Sequence, residues 1–181
     1  MNFKTLYFLS FALFLFNCKN KTTDIADKKP FSDCKCGKPA PIFIKNIPDF
    51  VSGHNFTMTS DAGVELVTFK DRTKLQIVQT GCNDIKQEFS FIYENPSLQS
   101  YSDAMWIQKA IDEFKKIGAA SPEYQPFSLW GNAIESRKDE FKIGEDKELE
   151  KGFFMKIDKI TSASEITMIV TVYADDCPTI K

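Results

Sequence analysis

The fold of this chain is restricted above all by runs in which apolar and polar residues alternate. These runs lie before and after a single amphipathic segment. Apolar and polar side chains alternate within residues 73–80, and residues 87–93 repeat the pattern with Phe89, Phe91 and Tyr93 on one face. A period of two indicates strands, and two such runs this close in sequence indicate an antiparallel hairpin. Shorter strand patterns precede them at residues 41–46, 55–59 and 64–69.

A second hairpin is predicted near the C-terminus, from residues 152–160 and 165–173. Both faces of the last run are partly apolar, which indicates a strand in the interior of the sheet. The charged residues 145–148, which precede this hairpin, are predicted to be a solvated stretch.

One clear helix lies between the two groups of strands. Ser100 and Asp103 have the spacing of a capping box, and Gly118 is a stop signal. Glu113 falls on the polar side of this helix, and a weaker helix pattern at residues 129–136 is interrupted by a glycine. The apolar side contains Ala104, Trp106, Ile107, Ala110, Ile111, Phe114 and Ile117. Strands, helix and strands in this order predict an α+β fold, an antiparallel sheet with one long amphipathic helix packed on one face.

The N-terminus has the features of a signal peptide. Lys4 provides a short positive region, and residues 6–16 form a predominantly apolar run of 11 residues, the length of a signal-peptide core. A membrane-spanning helix needs about 20 apolar residues, and this run ends at Asn17, ahead of a polar segment. Residues 1–17 are therefore predicted to be a signal peptide.

The end of this segment, Leu15-Phe16-Asn17-Cys18, resembles the lipobox of bacterial lipoproteins, in which a leucine stands three residues before the modified cysteine. The commonest lipobox has a small residue directly before the cysteine, where this chain has Asn17. The resemblance implies that Cys18 is the lipidated first residue of the mature chain, anchored by several acyl chains. It also implies a cell-envelope protein, in the outer membrane and facing the periplasm or the cell surface. The alternative is an ordinary secretory signal peptide with an unmodified Cys18.

The mature chain is predicted to have two parts. Residues 18–30 are the lipidated N-terminus and a flexible tether, because they contain almost no apolar side chains to offset the entropy lost on ordering. Residues 31–181 form a single domain of about 150 residues, which is long enough for one core.

Four cysteines remain once Cys18 is assigned to the lipid: Cys34, Cys36, Cys82 and Cys177. An even number in an exported chain predicts two disulfides. A bridge between Cys34 and Cys36 would be strained, so each is expected to pair with Cys82 or Cys177. The alternative is a zinc site with four thiolates, although zinc sites commonly use C-x₂-C pairs and this chain has C-x-C.

Charge and composition exclude several functions. The formal net charge of −2 becomes −3 without residues 1–17, which contain one lysine and no acid, and a nucleic-acid-binding protein needs a basic surface. His54 is the only histidine, which rules out multi-histidine metal sites, and the sequence contains no phosphate-binding, dinucleotide-binding or nucleophile-elbow motif. We therefore expect a protein that is not an enzyme and needs neither a cofactor nor a metal.

These exclusions favour a non-catalytic protein that binds a protein partner, as an inhibitor or immunity-type lipoprotein or as a component of an envelope assembly. Loops supply the contacts in many binding proteins, and the candidate binding residues are His54, Trp130 and Asp175.

Two alternatives remain open. The first is a carrier of a small apolar ligand, with a pocket between sheet and helix lined by Phe89, Phe91, Trp106 and Phe114. The second, less favoured, is an envelope hydrolase that uses carboxylates such as Asp175.

Overall fold

The computed structural model describes residues 38–43, 48–80 and 85–174. Its strands form one antiparallel sheet of seven strands in the order β1-β2-β3-β4-β7-β6-β5. In chain order the elements are β1 (Val51–Met58), β2 (Ala62–Phe69), β3 (Lys74–Thr80), β4 (Ile85–Tyr93), α1 (Asp103–Gly118), α2 (Gln125–Ser136), β5 (Asp146–Glu150), β6 (Phe153–Thr161) and β7 (Ile166–Ala174). The α+β class and the antiparallel sheet predicted from the sequence are therefore confirmed.

The order of strands follows from two meanders joined in the middle. Strands β1 to β4 pair in sequence, β5 to β7 do the same, and β7 pairs with β4, where Phe89 lies opposite Val170. The predicted hairpin of residues 73–80 and 87–93 is confirmed as β3 and β4, and β7 has the interior position that its two apolar faces predict.

Both helices cover the same face of the sheet. Phe114 of α1 contacts Phe89 and Phe91 of β4 edge to face, with ring centroids 5.5 and 5.9 Å apart. Phe127 of α2 contacts the same Phe89 ring at 5.7 Å. We call this side the helix face and the opposite side the open face; half-buried residues such as Gln76 lie on the open face, while their neighbours on the helix face are fully buried.

The prediction of one long helix on the sheet is wrong: two helices, of 16 and 12 residues, share the helix face. Gly131, which weakens the helix pattern in the sequence, lies where α2 crosses α1, and a Cβ there would be 3.0 Å from Cγ of Lys115. Its missing side chain allows close approach of the helices. A contact of this kind between distant segments leaves no trace in local periodicity.

Helix α1 also begins differently from the prediction. Ser102, and not Ser100, is the residue before the helix, and its hydroxyl accepts a hydrogen bond from the Met105 N–H at 3.4 Å. Six of the seven residues predicted on the apolar side of α1 are buried, namely Trp106, Ile107, Ala110, Ile111, Phe114 and Ile117. Ala104, in the first turn of the helix, is exposed. No helix in the described part of the chain is both long enough and apolar enough to cross a membrane.

The strand predicted at residues 41–46 is wrong in its described part. Residues 41–43 form no strand, because the N–H groups of Ile42 and Phe43 donate to a side chain and not to a neighbouring strand. The charged stretch of residues 145–148 is largely solvated as predicted, since Glu145, Asp146 and Glu148 are exposed, and its last three residues also belong to β5, which pairs with β6 at one edge of the sheet.

Candidate functional site

Six of the residues singled out by the sequence lie outside the described residues: Cys18, Cys34, Cys36, Cys82, Cys177 and Asp175. The lipid on Cys18, the two disulfides and a role for Asp175 therefore stay predictions. His54 and Trp130 are described, and the fold separates them, because His54 lies on edge strand β1 whereas Trp130 lies on α2.

His54 makes its main polar contact with a buried carboxylate. Its Nε2 lies 2.6 Å from Oε1 of Glu65, a residue of β2 with no exposed surface, and 17 % of the His54 side chain is exposed. The two residues are diagonal neighbours on the helix face, since Phe56 is the residue directly opposite Glu65.

The same carboxylate holds the segment that enters the sheet, residues 38–43, which we call the entry segment. Oε2 of Glu65 accepts the N–H of Ile42 and Oε1 accepts the N–H of Phe43, both at 2.8 Å. Three donors thus compensate the cost of removing a carboxylate from water. The Phe43 ring, fully buried, stacks on Tyr124 with centroids 5.1 Å apart.

Glu65 also affects the ionisation of a neighbouring phenol. Burial, followed by the negative charges of Glu123 and Glu65, raises the pKa of Tyr124. The geometry around His54 is that of a structural cluster which fixes the entry segment against the sheet. Its binding role remains a prediction.

Trp130 lies in an aromatic cluster at the border between core and surface. The half-buried indole contacts Phe89, Phe114 and Phe127, with centroids 5.2 to 5.8 Å apart. Three rings around one indole hold it in a defined orientation. Trp130 therefore both seals the core and presents a fixed edge to the outside.

That edge lines a groove of about 500 Å³ between α2 and the strands β5 and β6, which we call the α2–β6 groove. Its lining consists of Leu129, Trp130, Ala133, Ser136, Arg137, Leu149, Glu150 and Phe153. Leu129 is 57 % exposed, whereas Leu149 in β5 is buried. The groove thus joins buried apolar side chains to an exposed one.

Two charged side chains also line the groove, and one of them is fixed by a hydrogen bond. Arg137, directly after α2, donates from Nη1 to the carbonyl oxygen of Glu148 at 3.2 Å. Glu150 lies on the strand side. One cationic and one anionic side chain therefore flank the apolar lining.

The four side chains expected to line a carrier's pocket are instead core residues. Phe89, Phe91 and Phe114 have no exposed surface and Trp106 has 2 %. Their rings contact one another or neighbouring aromatic rings, and such contacts stabilise a core through dispersion and edge-to-face geometry. The pocket proposed at these positions is therefore corrected to a packed interior.

A second buried carboxylate was also missed by sequence reasoning, which placed Glu113 on the polar side of α1. Only 3 % of Glu113 is exposed, and its Oε1 accepts hydrogen bonds from Lys109 at 2.7 Å and from the Tyr93 hydroxyl at 3.4 Å. Lys116 lies 3.9 Å from its Oε2 and reaches Asp71 at 2.8 Å. The buried carboxylate is therefore compensated mainly at Oε1, by one ammonium group and one hydroxyl group.

This network changes two ionisations in opposite directions. Burial, and after it the Glu113 carboxylate, raises the pKa of Tyr93. Although burial opposes ionisation of Asp71, hydrogen bonds from Lys116 and Thr73 lower its pKa. Tyr93 lies in β4 and Asp71 in the turn after β2, so the hydrogen bonds of Glu113 and Lys116 with them belong to the packing of α1 against the sheet.

Among the described residues no group of three or more histidine, cysteine, aspartate or glutamate side chains is placed to hold a metal ion. Comparison of the chain with protein families, with characterised proteins and with solved structures found no match.

Proposed function

We propose that this protein is a lipid-anchored protein of the cell envelope that binds a protein partner without catalysing a reaction, and that the partner is received in the α2–β6 groove. The observation that carries this proposal is the juxtaposition of Leu129, 57 % exposed, with the half-buried Trp130 in a groove whose lining also includes charged side chains. An apolar centre with a polar rim is the general composition of a protein–protein interface.

Trp130 is suited to be the central contact. Tryptophan is enriched among the residues that contribute most to binding, particularly where a pocket excludes water. Because three aromatic rings already fix the indole, binding would cost little side-chain entropy. Binding of the partner would also bury the exposed apolar surface of Leu129.

The lining also defines the chemistry of the partner. A segment that inserts one large apolar side chain would cover Leu129 and Trp130, and an acidic or carbonyl group beside it would meet Arg137. A guanidinium has five N–H donors in a fixed plane, so Arg137 can bind such an acceptor while it holds the carbonyl of Glu148. The partner we propose is a protein segment with an apolar side chain next to an acceptor.

Anchoring would place this groove near a membrane. Under the proposal Cys18 carries the lipid and residues 18–30 are the tether, which by flexible-chain scaling reaches about 20 Å. Such an arrangement favours capture of a partner at the envelope, with a stoichiometric effect. The proposed disulfides of Cys34 and Cys36 with Cys82 and Cys177 belong to the same oxidising compartment.

The proposal is tested by comparing two charge substitutions at exposed apolar residues. Leu129→Glu places a carboxylate in the groove, whereas Met105→Glu makes the same change at a residue of α1 that is 45 % exposed and does not line the groove. After capture from native membranes and quantitative mass spectrometry, we expect one or more proteins to be retained by the wild type and by Met105→Glu and lost with Leu129→Glu. Identical sets of proteins from all three would overturn the groove as the binding site.

A further inference from the structure

In the described part of the chain the sheet has β1 at one edge and β5 at the other, and the two edges differ in how they are protected from pairing with another strand. Edge strand β5 has five residues, four of them charged, and its register with β6 shifts between Glu148 and Glu150. Charges, short length and bulges are the usual means by which proteins prevent an edge from pairing. Edge strand β1 has eight residues and no lysine, arginine, aspartate or glutamate. Its single titratable side chain, His54, is already hydrogen-bonded to Glu65.

The two faces of β1 differ in polarity. On the helix face Phe56 is half-buried and Met58 is 44 % exposed, opposite Glu65 and Gly63 of β2. On the open face Asn55 and Thr57 are exposed. A strand added beside β1 would therefore need apolar side chains on the helix face and short polar ones on the open face, since directly opposed residues in an antiparallel pair lie on the same face.

We propose that β1 pairs with β1 of a second copy of this chain, in an antiparallel register centred on Phe56. In that register Phe56 lies opposite Phe56 of the partner copy and Asn55 lies opposite Thr57, while Met58 lies opposite His54. The three central pairs thus match in polarity, while at each end Met58 meets the imidazole that is hydrogen-bonded to Glu65. A twofold axis perpendicular to the sheet relates the copies, so both sets of helices lie on the same side, as a closed isologous contact requires.

The sequence of β1 itself favours a second copy over an unrelated strand. Self-pairing of a charged strand would bring like charges together near the twofold axis, and β1 avoids this because it carries no such charge. The register of β1 with β2 shifts between Val51 and Gly53. The proposed pairing uses only residues 54–58, which lie beyond that shift and have regular strand geometry. This inference is independent of the proposed partner site, because the α2–β6 groove lies at the opposite edge of the sheet.

Cysteine cross-linking of the full-length protein in its own membranes tests the register. In the proposed pairing the two Cβ atoms at position 56 are about 5 Å apart, whereas the two residues at position 58 are offset by about 13 Å along the strands. We expect Phe56→Cys to give a dimer in which a disulfide joins position 56 of one copy to position 56 of the other, identified as a cross-linked peptide by mass spectrometry. Met58→Cys should give none. Absence of the cross-linked peptide from Phe56→Cys, or equal linkage at both positions, would overturn the proposal.

A charge substitution gives a second, independent readout. In the Phe56→Cys chain, Asn55→Lys together with Thr57→Lys places lysines opposite lysines across the interface and should reduce the yield of linked dimer by about tenfold. Thr68→Lys adds a charge at an exposed residue of β2 that is not on the edge, and it should leave the yield unchanged. Thermal unfolding of each variant checks that the fold is retained. Equal yields in the double variant and in Thr68→Lys would contradict pairing through β1.

Discussion

The His54 imidazole and the Glu65 carboxylate form a polar pair on the helix face of the sheet, with Nε2 2.6 Å from Oε1 and no exposed surface on Glu65. The pair connects three parts of the chain: β1, β2 and the entry segment, whose N–H groups at Ile42 and Phe43 complete the carboxylate's hydrogen bonds. A buried charge is tolerated when it is fully hydrogen-bonded. Loss of one acceptor oxygen would leave a buried donor without a partner.

Glu65→Gln is predicted to lower the free energy of unfolding by about 1–3 kcal/mol, because an amide replaces one acceptor oxygen by an NH₂ group that faces a donor. Urea denaturation measures this loss, and hydrogen exchange should show faster exchange of the Ile42 and Phe43 amides. Glu94→Gln is the matched control, since Glu94 pairs with Lys74 at the surface with about half of each side chain exposed. Such a pair contributes about 0–1 kcal/mol. Equal effects at the two positions would contradict a special role for Glu65.

The sequence contains a partial signal for Glu65. Residues 65, 67 and 69 alternate in the strand predicted at 64–69, and Val67 and Phe69 are the buried side chains of that face. Glu65 therefore occupies a position that the alternation assigns to the core. What sequence alone could not provide is its partners, because the entry segment and His54 reach it only after the chain has folded back.

The helices show the same division between local and non-local information. The apolar side of α1 follows from a period of 3.6 and was predictable, and the exposed Met105 was the one apolar residue outside that side. Helix α2 was only weakly predictable, since the benefit of Gly131 comes from its contact with α1. The burial of Glu113 similarly depends on lysines and a tyrosine that converge on it from two layers.

Gly118→Ala is predicted to destabilise the protein by about 1–3 kcal/mol, although alanine is ordinarily the better helix former. A Cβ at residue 118 would lie 2.1 Å from Oγ and 2.4 Å from the backbone nitrogen of Ser128, so α1 and α2 would have to separate. Gly131→Ala should cost less, because its nearest contact is a carbon of the flexible Lys115 side chain. Thermal unfolding gives the order of stability, and a Gly118→Ala protein more stable than the wild type would disprove the close approach.

The raised pKa of Tyr93 predicts how the free energy of unfolding changes at alkaline pH. Burial and the Glu113 carboxylate raise the pKa of Tyr93 in the folded state, whereas an unfolded tyrosine ionises near pH 10. The stabilising contribution is complete below about pH 10 and is lost as the pH rises above that value, because only the unfolded chain then releases the proton. In Tyr93→Phe the decline of unfolding free energy between about pH 10 and 11 should be shallower than in the wild type. Identical slopes by urea denaturation would show that Tyr93 ionises alike in both states.

Cys18→Ser is predicted to move the protein from the membrane fraction to the soluble fraction, since the hydroxyl cannot carry the thioether-linked lipid that the lipobox resemblance implies. Fractionation of cells that express the full-length chain, followed by immunoblotting, measures the distribution. Asn17→Ala, which gives the motif the small residue usual before the cysteine, should keep the protein in the membrane. A Cys18→Ser protein that stays in the membrane fraction would exclude lipid on Cys18 as the anchor.

Site-specific photo-cross-linking shows whether a protein partner binds in the α2–β6 groove. A photoreactive amino acid replaces Leu129 in one full-length chain and Met105 in another, since both side chains are about half exposed and only Leu129 lines the groove. On illumination of intact cells, we expect a discrete cross-linked protein from position 129, with a peptide of the partner attached to that residue, and none from position 105. Cross-links to the same proteins from both positions, or none from position 129, would contradict binding of a protein partner in this groove.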